Sequence, residues 1–283
     1  PRAHGGAPLT LIPLNLPGFQ GLNKQSDTAL LGPEWATRLN NATIDDNNRL
    51  ASRKGWSAIT TDPLDHSILS SVSFVSPLSN AEEYIVAVDD SSNTFFRSTD
   101  KGVTWTDITG SANVGDPNVQ FLTLNDKLYA VQGGSASLLM YDGTSFTDVT
   151  DVNAPTGSVG LSAYGRLWIV DDDGTTVKYS SLLDGTDWTP VVTPSAADPG
   201  QVSVDNVWAG ADNVTALVAF NGRIVVFGAY HILVWEDPTG SELGLDPLQL
   251  SVADTLRGIG CIWRELVQNV QGDLWFVSLQ GLH

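Results

Sequence analysis

A spacing constrains this chain more than any other feature. Aromatic residues that follow an Asp-Gly or Asp-x-Gly turn recur at Trp105, Phe146 and Trp188, 41 and 42 residues apart. The first closes Ser98-Thr99-Asp100-Lys101-Gly102-Val103-Thr104-Trp105, the second Asp142-Gly143-Thr144-Ser145-Phe146, the third Asp184-Gly185-Thr186-Asp187-Trp188. In such turns the carboxylate can accept backbone N–H bonds from the residues after it, and glycine takes a positive φ that side chains resist. The ring at the start of the next run brings a large apolar area to whatever lies beside it. A second series falls between these turns: Glu83-Tyr84-Ile85-Val86, Asp126-Lys127-Leu128-Tyr129, Gly165-Arg166-Leu167-Trp168, Gly222-Arg223-Ile224-Val225 and Gly272-Asp273-Leu274-Trp275. Each reads as a polar tight turn entering an apolar strand. A pitch of about 40 residues is room for four short strands with their turns, and five such turns predict at least five repeated units.

Composition agrees. Among 283 residues there are 27 Gly and 14 Pro with 42% hydrophobic residues, enough apolar material for a sizeable core broken by many turns. Short runs alternate, as in Ser71-Val72-Ser73-Phe74, or are wholly apolar, as in Ile224-Val225-Val226-Phe227. No long segment has helical periodicity; residues 34–40 and 263–270 are expected to form a turn or two of helix. The segment from Ser98 to Trp105 is similar, position for position, to the Asp-box pattern S-x-D-x-G-x-T-W of β-propeller proteins. The expected fold is therefore all-β: a β-propeller of four-stranded blades, at least five begun, preceded by an extended arm, with Trp105 filling a seam between blades.

Residues 1–65 differ from residues 66–283. Leu9-Thr10-Leu11-Ile12-Pro13-Leu14-Asn15-Leu16-Pro17-Gly18 is apolar and punctuated by proline, which suits an extended arm lying along another surface. After it, Ala42 to Asp45 and the segment from Arg49 are expected to pair as a hairpin about Asp46-Asn47-Asn48. Gly21-Leu22-Asn23, then Leu30-Leu31-Gly32 with Glu34 and Ala36, then Arg49-Leu50 with Arg53, Gly55 and Trp56, leading into propeller blades, resembles the tail nozzle, or packaged-DNA stabilisation, proteins of short-tailed bacteriophages. The resemblance implies a virion structural protein, hexameric, seated beneath the head-to-tail adaptor. It implies contacts with tail fibre or spike proteins, solubility in the host cytoplasm before assembly, and a conduit that retains the packaged DNA genome and then passes it through the ring without tight binding. A blade broken off near His283 leads us to expect a propeller that continues beyond this sequence.

The charge bears on the same question. Fourteen Lys plus Arg against 32 Asp plus Glu give a net charge of −18, which excludes nucleic-acid binding by counterion release. A ring of such surfaces would keep a polyanion mobile; the same charge also serves solubility alone. Cys261 stands alone, so no disulfide forms within the chain, and it is expected to be a small buried hydrophobe.

Catalysis is not expected, and no cofactor or metal is assigned. Sialidase-type hydrolysis would need an arginine cluster, a Tyr activated by a Glu and an acid, all converging; Arg166 and Arg223 sit in equivalent turns, but no Glu–Tyr pair stands out. Asp171-Asp172-Asp173-Gly174 lacks the ligand spacing of a calcium loop and reads as a hairpin turn. His4, His66, His231 and His283 have no zinc spacing. Two further readings stay open: a hydrolase built on the Asp turns, and a propeller that binds carbohydrate or protein through its long loops at 110–118, 151–158, 189–213 and 236–250.

Overall fold

The computed structural model describes residues 18, 20–27, 30–32, 34–46, 49–55, 57, 64, 67–78, 80–89, 93–210, 212–240 and 244–283. Apart from Gly18, the predicted arm lies outside them. Two compact units divide the chain, Pro1–Ala58 and Ile59–His283.

In the first unit β1 (Gly21–Leu22) pairs in parallel with β2 (Trp35–Ala36), and β3 (Ala42–Ile44) pairs antiparallel with β4 (Leu50–Ser52). The hairpin is the expected one, although Asn47 and Asn48 of its turn are outside the described residues. The helical turn expected over 34–40 does not form. Its backbone is taken up by strand pairing instead: the amides of Gln20 and Asn23 donate to the carbonyls of Glu34 and Ala36, at 2.8 and 2.9 Å.

The second unit is a succession of antiparallel meanders. The first sheet holds β5 (Ser67–Val75), β6 (Glu82–Asp89), β7 (Thr94–Ser98) and β8 (Thr106–Asp107). The second holds β9 (Gln120–Leu124), β10 (Lys127–Val131), β11 (Leu139–Tyr141) and β12 (Phe146–Asp148). β13 (Gly160–Ala163), β14 (Arg166–Val170), β15 (Thr176–Tyr179) and β16 (Gly200–Ser203) make the third. The fourth contains β17 (Val214–Phe220), β18 (Arg223–Gly228), β19 (His231–Glu236) and β20 (Ser251–Arg257). The fifth has three strands among the described residues, β21 (Val267–Val270), β22 (Asp273–Ser278) and β23 (Gly281–Leu282). First strands of successive sheets lie beside one another, β5 by β9, β9 by β13, β13 by β17 and β17 by β21. They form the inner layer, and the sheets radiate from it as propeller blades.

Tight turns set this register. Asn125-Asp126, Tyr164-Gly165, Asn221-Gly222 and Gln271-Gly272 join the first and second strands of blades two to five, and both residues of every pair have positive φ. That is the two-residue hairpin whose twist matches the strands it joins. The first blade departs from the predicted series. Glu83 is not in a turn but inside β6, and the link from β5 to β6 runs through residues 76–81.

Four apolar seams hold the five blades. Phe74, Ile85 and Phe95 meet Leu128, Tyr141 and Phe146 between blades one and two. Leu122, Leu124 and Tyr129 meet Leu167 and Trp188 between two and three. The third seam is the largest, with Trp168 and Trp208 against Ile224, Leu233 and Trp235. Val225 and Phe227 meet Cys261 and Val267 in the fourth. Cys261 is thus the buried hydrophobe that was expected. Residues 263–270 form a 3-10 turn at Arg264–Leu266 and then β21, in place of the expected helix. A short helix α1 (Asp205–Trp208) that the sequence did not reveal carries Trp208 into the third seam.

Candidate functional site

The polar groups with chemical potential gather in three places: the Asp turns, one seam, and the inner layer. At the turn between β7 and β8 the Asp100 carboxylate accepts from the amides of Val103 and Thr104, at 3.1 and 2.9 Å, and from the hydroxyls of Thr104 and Ser98, at 2.7 and 2.8 Å. The Ser98 hydroxyl in turn accepts from the Gly102 amide at 2.7 Å. Gly102 has φ 88° and Lys101 before it φ 61°, so the loop passes twice through the left-handed region. Donation by the Thr104 amide, then by the Thr104 and Ser98 hydroxyls, holds the Asp100 carboxyl at about 2.

Asp142 repeats this between β11 and β12, accepting from the amides of Thr144 and Ser145 at 2.8 and 3.2 Å; Gly143 has φ 96°. Asp184 accepts from the Thr186 amide at 2.9 Å and from its hydroxyl at 2.6 Å. There the left-handed residue is Leu183, with φ 59°, and Gly185 serves another need. A Cβ on Gly185 would stand 2.6 Å from both Leu167 and Tyr129, so only glycine lets the loop lie against that seam. Two further Asp turns follow the pattern: the first is the hairpin turn expected at Asp171-Asp172-Asp173-Gly174, and the second was not singled out from sequence. Asp173 accepts from the amides of Thr175 and Thr176 in the β14–β15 hairpin. Asp237 accepts from the amide and hydroxyl of Thr239 after β19. Asp237 lies 53 residues after Asp184, and this longer gap hides it from a 42-residue period.

The aromatics that follow the turns part company. Phe146 stacks on Phe95 of the preceding blade with ring centroids 4.3 Å apart, and Trp188 is buried against Leu122, Leu124 and Tyr129. Trp105 does not fill a seam as expected. It is half-buried on the face of the first blade turned away from the second, where it lines a groove of about 340 Å³ with Ser71, Ser73, Tyr84 and Val86. Its equivalents close on a preceding blade, and the first blade has none among the described residues.

A Glu–Tyr–Arg constellation does exist, inside the first seam. The Tyr141 hydroxyl donates to Glu83 Oε2 at 2.8 Å, while Arg97 Nη1 lies 2.9 Å from that hydroxyl, 3.3 Å from Glu83 Oε1 and 3.1 Å from the Gly143 carbonyl. Tyr141 is fully buried and Glu83 nearly so. Burial, then the Glu83 carboxylate, pushes the Tyr141 hydroxyl above its ordinary value. A nucleophilic phenol needs the opposite shift and an open approach; here the three side chains tie two blades together.

The arginines weighed for a substrate clamp are likewise engaged. Arg166 is buried and donates to the carbonyls of Ser180, Ala196 and Asp198, pinning the long loop before β16; burial lowers its pKa. Arg223 pairs with Glu236 at 2.7 Å on the surface. Sequence reasoning missed Arg264. From the start of the fifth blade its guanidinium donates to the Ser158 carbonyl before β13 and to the Asn118 carbonyl and side chain before β9, the latter two at 3.0 and 3.2 Å. It thereby bridges three blades across the inner layer. Among the described residues no group of three or more His, Cys, Asp or Glu is placed to hold a metal ion, and no helix is long and apolar enough to cross a membrane.

No family model and no curated protein matches the chain. Solved structures do. The structure "YCF48 bound to D1 peptide" is similar with a TM-score of 0.50 at 14% identity, over 82% of this chain and 69% of that one. "BBS1N in complex with ARL6DN" matches with a TM-score of 0.44 at 12% identity, over 83% and 69%. YCF48 from Cyanidioschyzon merolae matches with a TM-score of 0.41 at 14% identity, over 69% and 63%. At such identities the likeness to the first shows fold alone, and that fold is the β-propeller read from the strands.

Proposed function

We propose that this chain is a non-catalytic structural propeller of a short-tailed phage tail, a nozzle subunit that assembles as a hexamer beneath the head-to-tail adaptor and passes DNA without gripping it. The observation that carries the reading is the fate of its polar side chains. Glu83, Tyr141, Arg97, Arg166 and Arg264 are consumed in joining blades and loops, which is the chemistry of a scaffold. The net charge of −18 supports a conduit that holds back and then passes a polyanion without binding it tightly. The resemblance between Gly21 and Trp56 supplies the tail assignment.

The test is location. Antibody raised against the purified chain and applied to intact particles from its natural source should decorate the tail tip. Purified particles that lack the chain altogether would overturn the reading.

A second reading, a propeller that binds a protein through its loops, is favoured by three exposed valines. Val152, Val191 and Val192 stand on loops tied by Asp151, which accepts from the Trp188 amide at 2.7 Å and the Thr189 hydroxyl at 3.1 Å. A depression of about 530 Å³ lies beside Val152.

A further inference from the structure

Asn221-Gly222, the turn between β17 and β18, is the one place where an asparagine of this chain precedes glycine. Among the described residues nothing accepts from the Gly222 amide, and the Asn221 side chain makes no hydrogen bond. A Cβ built on Gly222 would meet nothing within 4 Å. A backbone nitrogen and an unrestrained carboxamide are thus neighbours in the chain, and no other residue crowds the approach of one to the other. The equivalent turns lack this combination. In blade two Asn125 donates through Nδ2 to the Leu183 carbonyl at 3.1 Å, and the residue after it, Asp126, carries a side chain. In blade five Gln271 precedes Gly272 with φ 54°, but its longer side chain would have to close a larger ring. The Asp-Gly turns are engaged as well: Asp142, Asp173 and Asp184 give their carboxylates to amides beyond the glycine.

We propose that Asn221 is a site of spontaneous deamidation, with water as the co-reactant. The Gly222 nitrogen bonds to Asn221 Cγ, the Cγ–Nδ2 bond breaks, and the proton that the Gly222 nitrogen gives up leaves with the amino group as ammonia. Water then opens the cyclic imide. Opening at the side-chain carbonyl gives aspartate, and opening at the main-chain carbonyl gives isoaspartate. Either product adds a negative charge to a chain already at −18. Isoaspartate also routes the backbone through Cβ, and a two-residue hairpin with both φ positive has no room for the added atom. The contacts at stake are the Phe220–Arg223 pair that closes the hairpin and the bond from the Tyr164 hydroxyl of blade three to the Arg223 carbonyl, 3.0 Å long. The reaction is a one-way loosening between the third and fourth blades that advances with the age of the protein.

Incubation of the whole folded chain at mildly alkaline pH, followed by peptide mapping, tests it. The peptide holding Asn221 should gain the mass of an amino-to-hydroxyl exchange and take up methyl label from an isoaspartyl methyltransferase. Its rate should exceed that of every other asparagine peptide by about tenfold or more. Asn221→Gln copies the Gln271-Gly272 turn, and it should abolish the label at this peptide while the fresh protein melts like the parent. The chain unfolded in guanidinium gives the reference rate for unhindered chemistry. If Asn221 stays intact in the folded chain while the unfolded chain converts, the turn holds the two groups apart and the proposal falls. It falls equally if Asn125 converts as fast as Asn221, or if Asn221→Gln is labelled at the parental level.

Discussion

The Tyr141 hydroxyl donates to Glu83 across the first seam at 2.8 Å, in a site from which water is excluded on both sides. The bond ends on a carboxylate, and Arg97 supports both partners. Tyr141→Phe should cost about 1–3 kcal/mol, since it strips a buried acceptor of one donor. Urea unfolding measures it. A cost within error of zero would mean that the two blades do not need the bond.

Acid should loosen the Asp turns. The Asp100 carboxyl titrates near 2 in the folded chain against about 3.9 when unfolded. Its contribution is therefore complete above the unfolded value and lost as pH falls through the folded one. Asp151, Asp173 and Asp198 are shifted in the same direction. The melting temperature should fall steeply between about pH 4 and pH 2. Asp100→Ala should lower it by about 2–4 °C at neutral pH and flatten part of the acid limb; scanning calorimetry across pH reads both.

Trp188 and Trp105 occupy equivalent repeat positions, and they should differ in cost. Trp188→Ala empties a closed seam and should destabilise by about 3–5 kcal/mol. Trp105→Ala acts on an open groove and should cost about 1 kcal/mol. Equal losses in chemical denaturation would contradict the assignment of Trp105 to an uncovered face.

Arg264→Met keeps length and apolar contact while removing the donors that serve Ser158 and Asn118. Loss of about 2–4 kcal/mol is expected, because carbonyls before two separate blades are left unpaired. Hydrogen exchange should show the start of the fifth blade opening before the rest.

Local chemistry was legible in the chain and distant pairing was not. The turns at Asn221-Gly222 and Gly102 depend on their own residues, so the sequence shows them directly. Glu83 looked like one more turn residue because its partner Tyr141 is 58 residues away and reached only through a seam. Arg264 meets Ser158 and Asn118 at separations of 106 and 146 residues, which no local pattern records. Trp105 shows a different limit: its motif identifies the turn it follows but cannot say whether a neighbour covers the ring.

Arg264 ties the second, third and fifth blades where their first strands converge, so the inner strands are held by contacts that span more than a hundred residues of sequence. The outer edges carry no such obligation. In β20, the outermost strand of the fourth blade, every residue is exposed, and the residues free to meet another molecule are those that look least important to the fold.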